Sequence, residues 1–365
     1  MKRKTSGSPI VFCIDSPGFG GAEKMLIRLL DWIGDEDFRV VHTERLSTEV
    51  RNFLLGKKIT AKEVTAVGNS APFVGKGIAR AIRIIATCPS GLFVIWGHHS
   101  DSNRWLQLVL ALFRRQFILV ERLVPAQRSD LDRSRLTVPL KRFVAPKAKA
   151  VVLNAYSQVE HYRGLFGLKR ARMVVIPNSR PVVAINAQVG RLRAGKSELR
   201  ASLGLQDRPM AVCVGRLTKQ KNQAGIIRAM AELKCDAQAV FVGEGPDRAE
   251  LEAIASQIAP GQIFFAGQQP DPLPWLAAAD VFALPSLVEG LPGALIEAMA
   301  AELPCVASDI PGNRELVKNE ETGLLVSPHS STDLARALEK LLMNKSAADQ
   351  YARAGFMLVK DRYDE

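Results

Sequence analysis

Short runs of β-branched and apolar residues alternate with longer amphipathic stretches along almost the whole chain, and this alternation constrains the fold more than any other feature. In the first half, runs near 10–14, 38–42, 93–96, 117–121, 150–153 and 173–176 read as strands, with helices between several of them. The second half repeats the pattern. Strands near 210–214, 239–242, 262–266, 281–284, 305–307 and 323–326 alternate with helices near 222–232, 247–258, 273–278, 293–301, 311–316 and 331–344. Strands joined through helices pair in parallel and carry helices on both faces of the sheet. The repetition implies two such α/β domains, which 365 residues of 47% apolar content can fill. The stretch 178–204 lacks strong strand signals, and the connection is placed around 180–196.

Charge divides the chain unevenly. Residues 1–180 hold 30 Lys and Arg against 14 Asp and Glu, a net of +16, whereas residues 181–365 hold 19 against 23, a net of −4. The densest basic part is 122–149, so nucleic acid, an anionic membrane face, a phosphorylated substrate or a merely solvated surface each stay open. Five scattered cysteines without paired metal spacing read as free, buried thiols of a reducing cytoplasm. The N-terminus lacks the apolar segment and cleavage site of a secretion signal. The longest apolar run, 105–113, is too short to span a bilayer.

In open parallel sheets, ligands gather beyond the carboxyl ends of strands, where helix N-termini offer free N–H groups. Loops after strands are therefore informative. After the first strand, Gly18-x-Gly20 would need glycine at position 23 for a dinucleotide fingerprint, and Glu23 stands there. The pair Gly20-Gly21 remains a candidate for close approach to an anion. In the second half, Gly215, Arg216 and Lys221 lie between a strand and a helix. One bidentate donor and one mobile point charge suit a diphosphate. Gly243 and Gly245 form a further Gly-rich turn, for which a plain tight turn is nearly as good an account.

The stretch 284–308, LPSLVEGLPGALIEAMAAELPCVAS, places Glu289 in a loop past a strand end and Glu297 in the first turns of a largely apolar helix. A carboxylate facing a core needs a partner, so either Glu297 faces outward or something polar awaits it. Helical side chains point back toward the N-terminus, so both carboxylates can face one cleft. There they can accept hydrogen bonds from a ribose diol or a hexose ring. The N–H groups at the helix start are left for a phosphate.

Taken together and in order, Gly-Gly-Ala-Glu at 20–23, Gly-Arg-Leu with Lys-Asn at 215–222, Gly-Glu-Gly-Pro at 243–246, the Glu289-x7-Glu297 element and Gly-Leu-Leu-Val at 323–326 resemble family 4 retaining glycosyltransferases. The resemblance covers nearly the whole chain. It implies the GT-B fold, two Rossmann-like doubly wound parallel-sheet domains facing a central cleft. An acceptor-binding domain is expected at 1–180, a nucleotide-sugar-binding domain at 181–346, and a helix at 347–365 returning to the first domain. It further implies transfer of a hexose or N-acetylhexosamine from a nucleotide sugar, UDP before GDP, with retention of configuration and no bound metal or other cofactor. Arg216 and Lys221 would neutralise the leaving diphosphate. Glu289 with the amides of Gly290, Leu291 and Gly293 would bind the transferred sugar, Glu297 the ribose, and Gly20 and Gly21 the phosphates from the first domain. The base pocket is expected near 267–270. The departing phosphate itself would take the acceptor proton, and Asp130-Leu131-Asp132 is read as a turn, not a metal motif.

Val120–Pro125 reads VERLVP where many relatives carry a histidine, a variant similar to that of enzymes extending polysaccharides or lipid-linked oligosaccharides. Glu121 and Arg122 are expected on the acceptor side, with His98 and His99 as surface residues or acceptor contacts. A basic first half suits a saccharide acceptor carried on polyprenyl diphosphate, or peripheral attachment to the inner face of the cytoplasmic membrane. Two other functions fit less of the sequence. A nucleic-acid-binding protein lacks an aromatic platform, aromatics being 6% of residues, so no nucleic-acid partner is expected. A nucleotide-sugar epimerase would share the architecture without an acceptor.

Overall fold

A computed structural model describes residues 9–14, 21–33, 38–42, 46–59, 61–63, 73–88, 90–96, 101–121, 137–166 and 171–365. The chain divides into two compact units, residues 1–176 and 177–365.

In the first unit the described elements run β1 (Ile10–Ile14), α1 (Gly21–Ile33), β2 (Phe38–His42), α2 (Thr48–Gly56), β3 (Ala61–Glu63), α3 (Phe73–Thr87), β4 (Leu92–Trp96), α4 (Asp101–Leu112), β5 (Phe117–Glu121), α5 (Thr137–Val144), β6 (Ala150–Leu153), α6 (Ser157–Phe166) and β7 (Met173–Val175). The strands form one parallel sheet in the order β3-β2-β1-β4-β5-β6-β7. Side chains alternate between two cores, as a strand covered on both faces requires. Val11 and Cys13 join Phe93, Ile95 and the buried residues of α3 and α4, while Phe12 and Ile14 join Val40, Val94 and those of α1 and α2. The run 105–113 is the core-facing side of α4: Leu106, Val109 and Leu110 are buried, and Leu112 and Phe113 at its end are exposed.

The second unit runs α7 (Val182–Arg193), α8 (Lys196–Ser202), β8 (Met210–Val214), α9 (Gln223–Glu232), β9 (Gln238–Val242), α10 (Arg248–Ile258), β10 (Ile263–Gly267), α11 (Leu273–Ala278), β11 (Val281–Leu284), α12 (Gly293–Ala300), β12 (Cys305–Ser308), α13 (Pro311–Arg314), β13 (Leu324–Val326), α14 (Ser331–Met343) and α15 (Lys345–Tyr363). Its parallel sheet has the order β10-β9-β8-β11-β12-β13. Chain order therefore reverses between β8 and β11. α9 packs with α10 and α14, whereas α12 packs with α7 and α15. The helices leaving β8 and β11 thus cover opposite faces, and a crevice opens at the carboxyl ends of these two strands.

One segment differs from the sequence expectation. Residues 182–193, placed in the connection, form α7, because Val182, Ile185 and Val189 recur at helical spacing and are buried. The last helix, α15, is grouped with the second unit, where it packs against α7, α12 and α14. Of the cysteines, Cys13, Cys88, Cys213 and Cys305 are buried and Cys235 is partly so, none in a disulfide. Burial pushes the Cys213 thiol up to about 12, which makes it inert near neutrality.

Candidate functional site

The site grows from the loop after β8. Gly215 ends the strand run, and its N–H donates to the carbonyl of Val242 at 2.9 Å. A 3-10 turn, Lys219–Lys221, then carries the chain into Asn222, which adopts left-handed geometry (φ 54°, ψ 40°) ahead of α9. Asn tolerates that geometry, and its side-chain amide donates to the carbonyls of Pro285 and Pro328, both at 3.2 Å. Lys221 folds back over Gly215, where an added Cβ would lie 3.6 Å from its Cε. Its Nζ meets Glu289 Oε1 at 2.5 Å.

Glu289 itself lies in the loop after β11, and that loop is fixed along its length. The N–H of Leu287 donates to the carbonyl of Gln220 at 2.8 Å, and the Gln220 amide donates back to Val288 at 2.9 Å. Ser308 Oγ donates to the carbonyl of Ser286 beneath it. Asn178 Nδ2 donates to the carbonyl of Leu291 at 2.5 Å. Gly312 packs so closely under the loop that a Cβ would stand 2.1 Å from the carbonyl oxygen of Gly290. Glu289 is consequently a held carboxylate, 8% exposed, with its cation in place.

Pro292 precedes α12 without a side-chain cap, so the first N–H groups of that helix lack side-chain partners there. Four residues into α12, Glu297 meets the guanidinium of Arg180, Nε to Oε1 at 2.5 Å. The polar partner that an apolar helix demanded is thus an arginine 117 residues earlier. Arg216 is exposed and forms no ion pair among the described residues. Gly243 and Gly245 stack on the β8–α9 loop: a Cβ on Gly243 would lie 2.1 Å from the carbonyl oxygen of Gly215, and one on Gly245 2.1 Å from that of Leu217.

The structure therefore brings Gly215, Arg216, Lys221, Gly243, Gly245, Glu289, Gly290, Leu291, Gly293 and Glu297 to the carboxyl ends of β8, β9 and β11. Sequence reasoning passed over Arg180 and Asn178; the only signal was the unpaired charge of Glu297, which called for a cation without saying where. Gly21 opens α1. Gly20, His98, His99, Arg122, Asp130 and Asp132 lie outside the described residues.

Glu121 is placed differently from the expected acceptor contact. It ends β5 inside the first unit, 2% exposed, and forms an ion pair with the equally buried Lys141, whose Nζ also donates to Gln107 Oε1 at 3.1 Å. Burial, and then the Glu121 charge, raise the Tyr162 hydroxyl well above its ordinary value. This is a structural cluster. Lys141→Met removes the cation paired with a buried carboxylate and is expected to destabilise the protein by about 3–5 kcal/mol in urea unfolding, with most of the loss recovered in Lys141→Met/Glu121→Gln.

A family model described as glycosyl transferases group 1 matches residues 195–356. Among curated relatives, the GDP-mannose-dependent alpha-(1-6)-phosphatidylinositol monomannoside mannosyltransferase of Mycobacterium tuberculosis is 34% identical over 175 residues, 44% of this chain and 46% of that protein. The N-acetylgalactosamine-N,N'-diacetylbacillosaminyl-diphospho-undecaprenol 4-alpha-N-acetylgalactosaminyltransferase of Campylobacter jejuni is 29% identical over 208 residues, 56% of this chain and 54% of the relative. The chain spans about half the length of the curated relatives it matches. Among solved structures, Anabaena HepE in complex with UDP and glucose superposes with a TM-score of 0.77 over 98% of this chain and 96% of that one, at 22% identity.

Proposed function

We propose that this protein, which has the GT-B fold and matches the glycosyl transferases group 1 model over residues 195–356, is a retaining glycosyltransferase that needs no metal. It moves a hexose or N-acetylhexosamine from a nucleotide sugar, UDP before GDP, to a saccharide or polyprenyl-diphosphate-linked acceptor in cell-surface polysaccharide synthesis. The observation that carries this reading is the Lys221–Glu289 pair, set beside the exposed Arg216 and the uncapped start of α12 in the crevice between β8 and β11.

In this arrangement an ammonium with three donors gives one to Glu289 and keeps the others for a phosphate. Glu289 thus aims Lys221, and Lys221 removes the repulsion that a bare carboxylate would offer a diphosphate. Arg216 supplies the second cation. The bond from the sugar's anomeric carbon to the diphosphate oxygen breaks, and its electrons stay on the diphosphate, where the two cations meet the growing charge. The acceptor oxygen bonds to the same carbon from the side the diphosphate leaves, and its proton passes to a diphosphate oxygen. Glu289 and the amides of Gly290, Leu291 and Gly293 hold the sugar, and Glu297 accepts from the ribose.

The UDP preference draws support from the UDP and glucose held by the Anabaena neighbour, while the mycobacterial relative is named for GDP-mannose. The Campylobacter relative, named for an undecaprenol diphosphate-linked saccharide, supports a lipid-linked acceptor. No helix among the described residues is long and apolar enough to cross a membrane. The net +16 of residues 1–180 supports peripheral attachment to an anionic cytoplasmic leaflet.

Thermal-shift measurements with UDP-, GDP- and ADP-sugars test the function. One nucleotide class is expected to raise the melting temperature of the parent, an increase lost in Lys221→Ala. Stabilisation by duplex DNA or RNA, with none by any nucleotide sugar, would overturn the reading. Appearance of an epimer of the donor, with no product on any acceptor, would replace transfer by epimerisation.

A further inference from the structure

Arg180 has no part in the chemistry above, yet its side chain is among the most constrained in the second unit. Nε donates to Glu297 Oε1 at 2.5 Å and Nη1 to the carbonyl of Ser179 at 2.7 Å. Nη2 lies against the α-carbon of Gly293, where an added Cβ would come within 2.0 Å, so the guanidinium rests on the first turn of α12 only because residue 293 has no side chain. The backbone is held as firmly. The N–H of Arg180 donates to the carbonyl of Tyr363 at 2.9 Å, its carbonyl accepts from Glu365 at 3.1 Å, and Asp364 accepts from the N–H of Val182 at 2.8 Å.

This clamp acts on one oxygen of one carboxylate. Glu297 Oε2 accepts no hydrogen bond among the described residues, and the side chain keeps 16% of its surface exposed. A pair serving stability alone gains little from burial, because desolvating two charges offsets much of their attraction, and apolar residues of similar volume pack as well or better. The feature the pair does provide is a carboxylate with one oxygen immobilised and the other presented at the crevice. We infer that Arg180 is a positioning residue for ribose recognition: it fixes Glu297 so that Oε2 accepts from the ribose hydroxyls of the nucleotide, and thereby sets the preference for ribonucleotides over deoxyribonucleotides. The inference rests on the reading of Glu297 as the ribose contact. It predicts that Arg180 acts through Glu297 and not on the ligand directly.

The test is calorimetric titration of UDP, GDP and their 2′-deoxy and 3′-deoxy counterparts into the parent, Arg180→Gln, Glu297→Gln and Arg180→Gln/Glu297→Gln, with thermal unfolding of each protein without nucleotide. The parent is expected to favour one ribonucleoside diphosphate over a deoxy form by about tenfold. Arg180→Gln is expected to lose that preference through weaker ribonucleotide binding, its affinity for the deoxy forms changing by less than about threefold. The double variant is expected to match Glu297→Gln, as groups acting in series do. Equal weakening of ribo and deoxy forms by Arg180→Gln, or a double variant that binds more weakly than Glu297→Gln, overturns the inference. If Arg180→Gln alone unfolds because it strands Glu297, the double variant, which carries no charge at this pair, and Glu297→Gln, whose Arg180 keeps its hydrogen bond to the Ser179 carbonyl, still decide it. A parent that binds nucleoside diphosphates without ribose preference sinks the inference and leaves the transferase reading standing. A parent that binds none removes both.

Discussion

Lys221→Met is expected to lower kcat/KM for transfer by about 10²–10³-fold, the scale of losing one preorganised group that meets developing charge in a transition state. Most of that loss belongs in kcat, because the charge on the leaving diphosphate grows as the glycosidic bond breaks. A second effect accompanies it. Glu289 is 8% exposed and loses the cation paired with it, so the substitution also costs stability, about 2–4 kcal/mol. The lower end applies because Lys221 keeps 19% of its side-chain surface in water. Lys221→Met/Glu289→Gln separates the two effects: the melting temperature returns toward the parent value while the rate does not. A variant whose rate recovers along with its stability would show that Lys221 only supports the loop.

Gly243→Ala is expected to cost about 3 kcal/mol and to lower the melting temperature by about 6–12 °C. The methyl group would stand 2.1 Å from the carbonyl oxygen of Gly215, a backbone atom that cannot step aside as a flexible side chain can. The residue also has φ of +147°, a region that side chains disfavour. Its N–H donates to the carbonyl of Gly267 at 2.8 Å, while Gly215 donates to Val242, so the ends of β8, β9 and β10 are linked through this one contact point. Shifting it moves the base of the Lys221 loop, and nucleotide affinity is expected to fall with stability. Gly190→Ala is the matched control. Gly190 sits in α7 with nothing within 4 Å of an added Cβ, and the substitution is expected to stabilise by about 0.5–1 kcal/mol.

The sheets were legible because burial on both faces writes strands as uninterrupted apolar runs, such as 210–214 and 281–284, bounded by glycine and proline. β3 escaped notice because Ala61–Glu63 is three residues of small and charged character at the sheet edge, with no alternation to read. α7 escaped for a different reason. Its periodic apolar residues were present, but Pro181 at its start offers no capping side chain and Gly190 and two arginines break the pattern toward its end. Within the site, spacing alone placed Glu289 and Glu297 correctly relative to the β11–α12 turn, since eight residues from loop to helix leave few geometries. What spacing could not convey is which partner each carboxylate has. Lys221 and Arg180 are 68 and 117 residues away from theirs, brought near by the pairing of β8 with β11 and by the path of the chain after β7. Glu121 shows the converse: the likeness of Val120–Pro125 to a family variant suggested an acceptor contact, whereas the packing of α4, α5 and α6 pairs its carboxylate with Lys141 inside the unit.

The separation of 117 residues between Arg180 and Glu297 also dictates an order of events during synthesis. A growing chain can pair β8 with β9 as soon as both have emerged, but β8 keeps a bare edge until β11, its other neighbour, begins 39 residues after β9 ends (281 − 242). Contacts of such long range close late and slowly, and the half-finished sheet is the species most prone to associate with its own copies. The Arg180–Glu297 and Lys221–Glu289 pairs thus form late in synthesis, and the bonds of Tyr363 and Glu365 to the Arg180 backbone form later still.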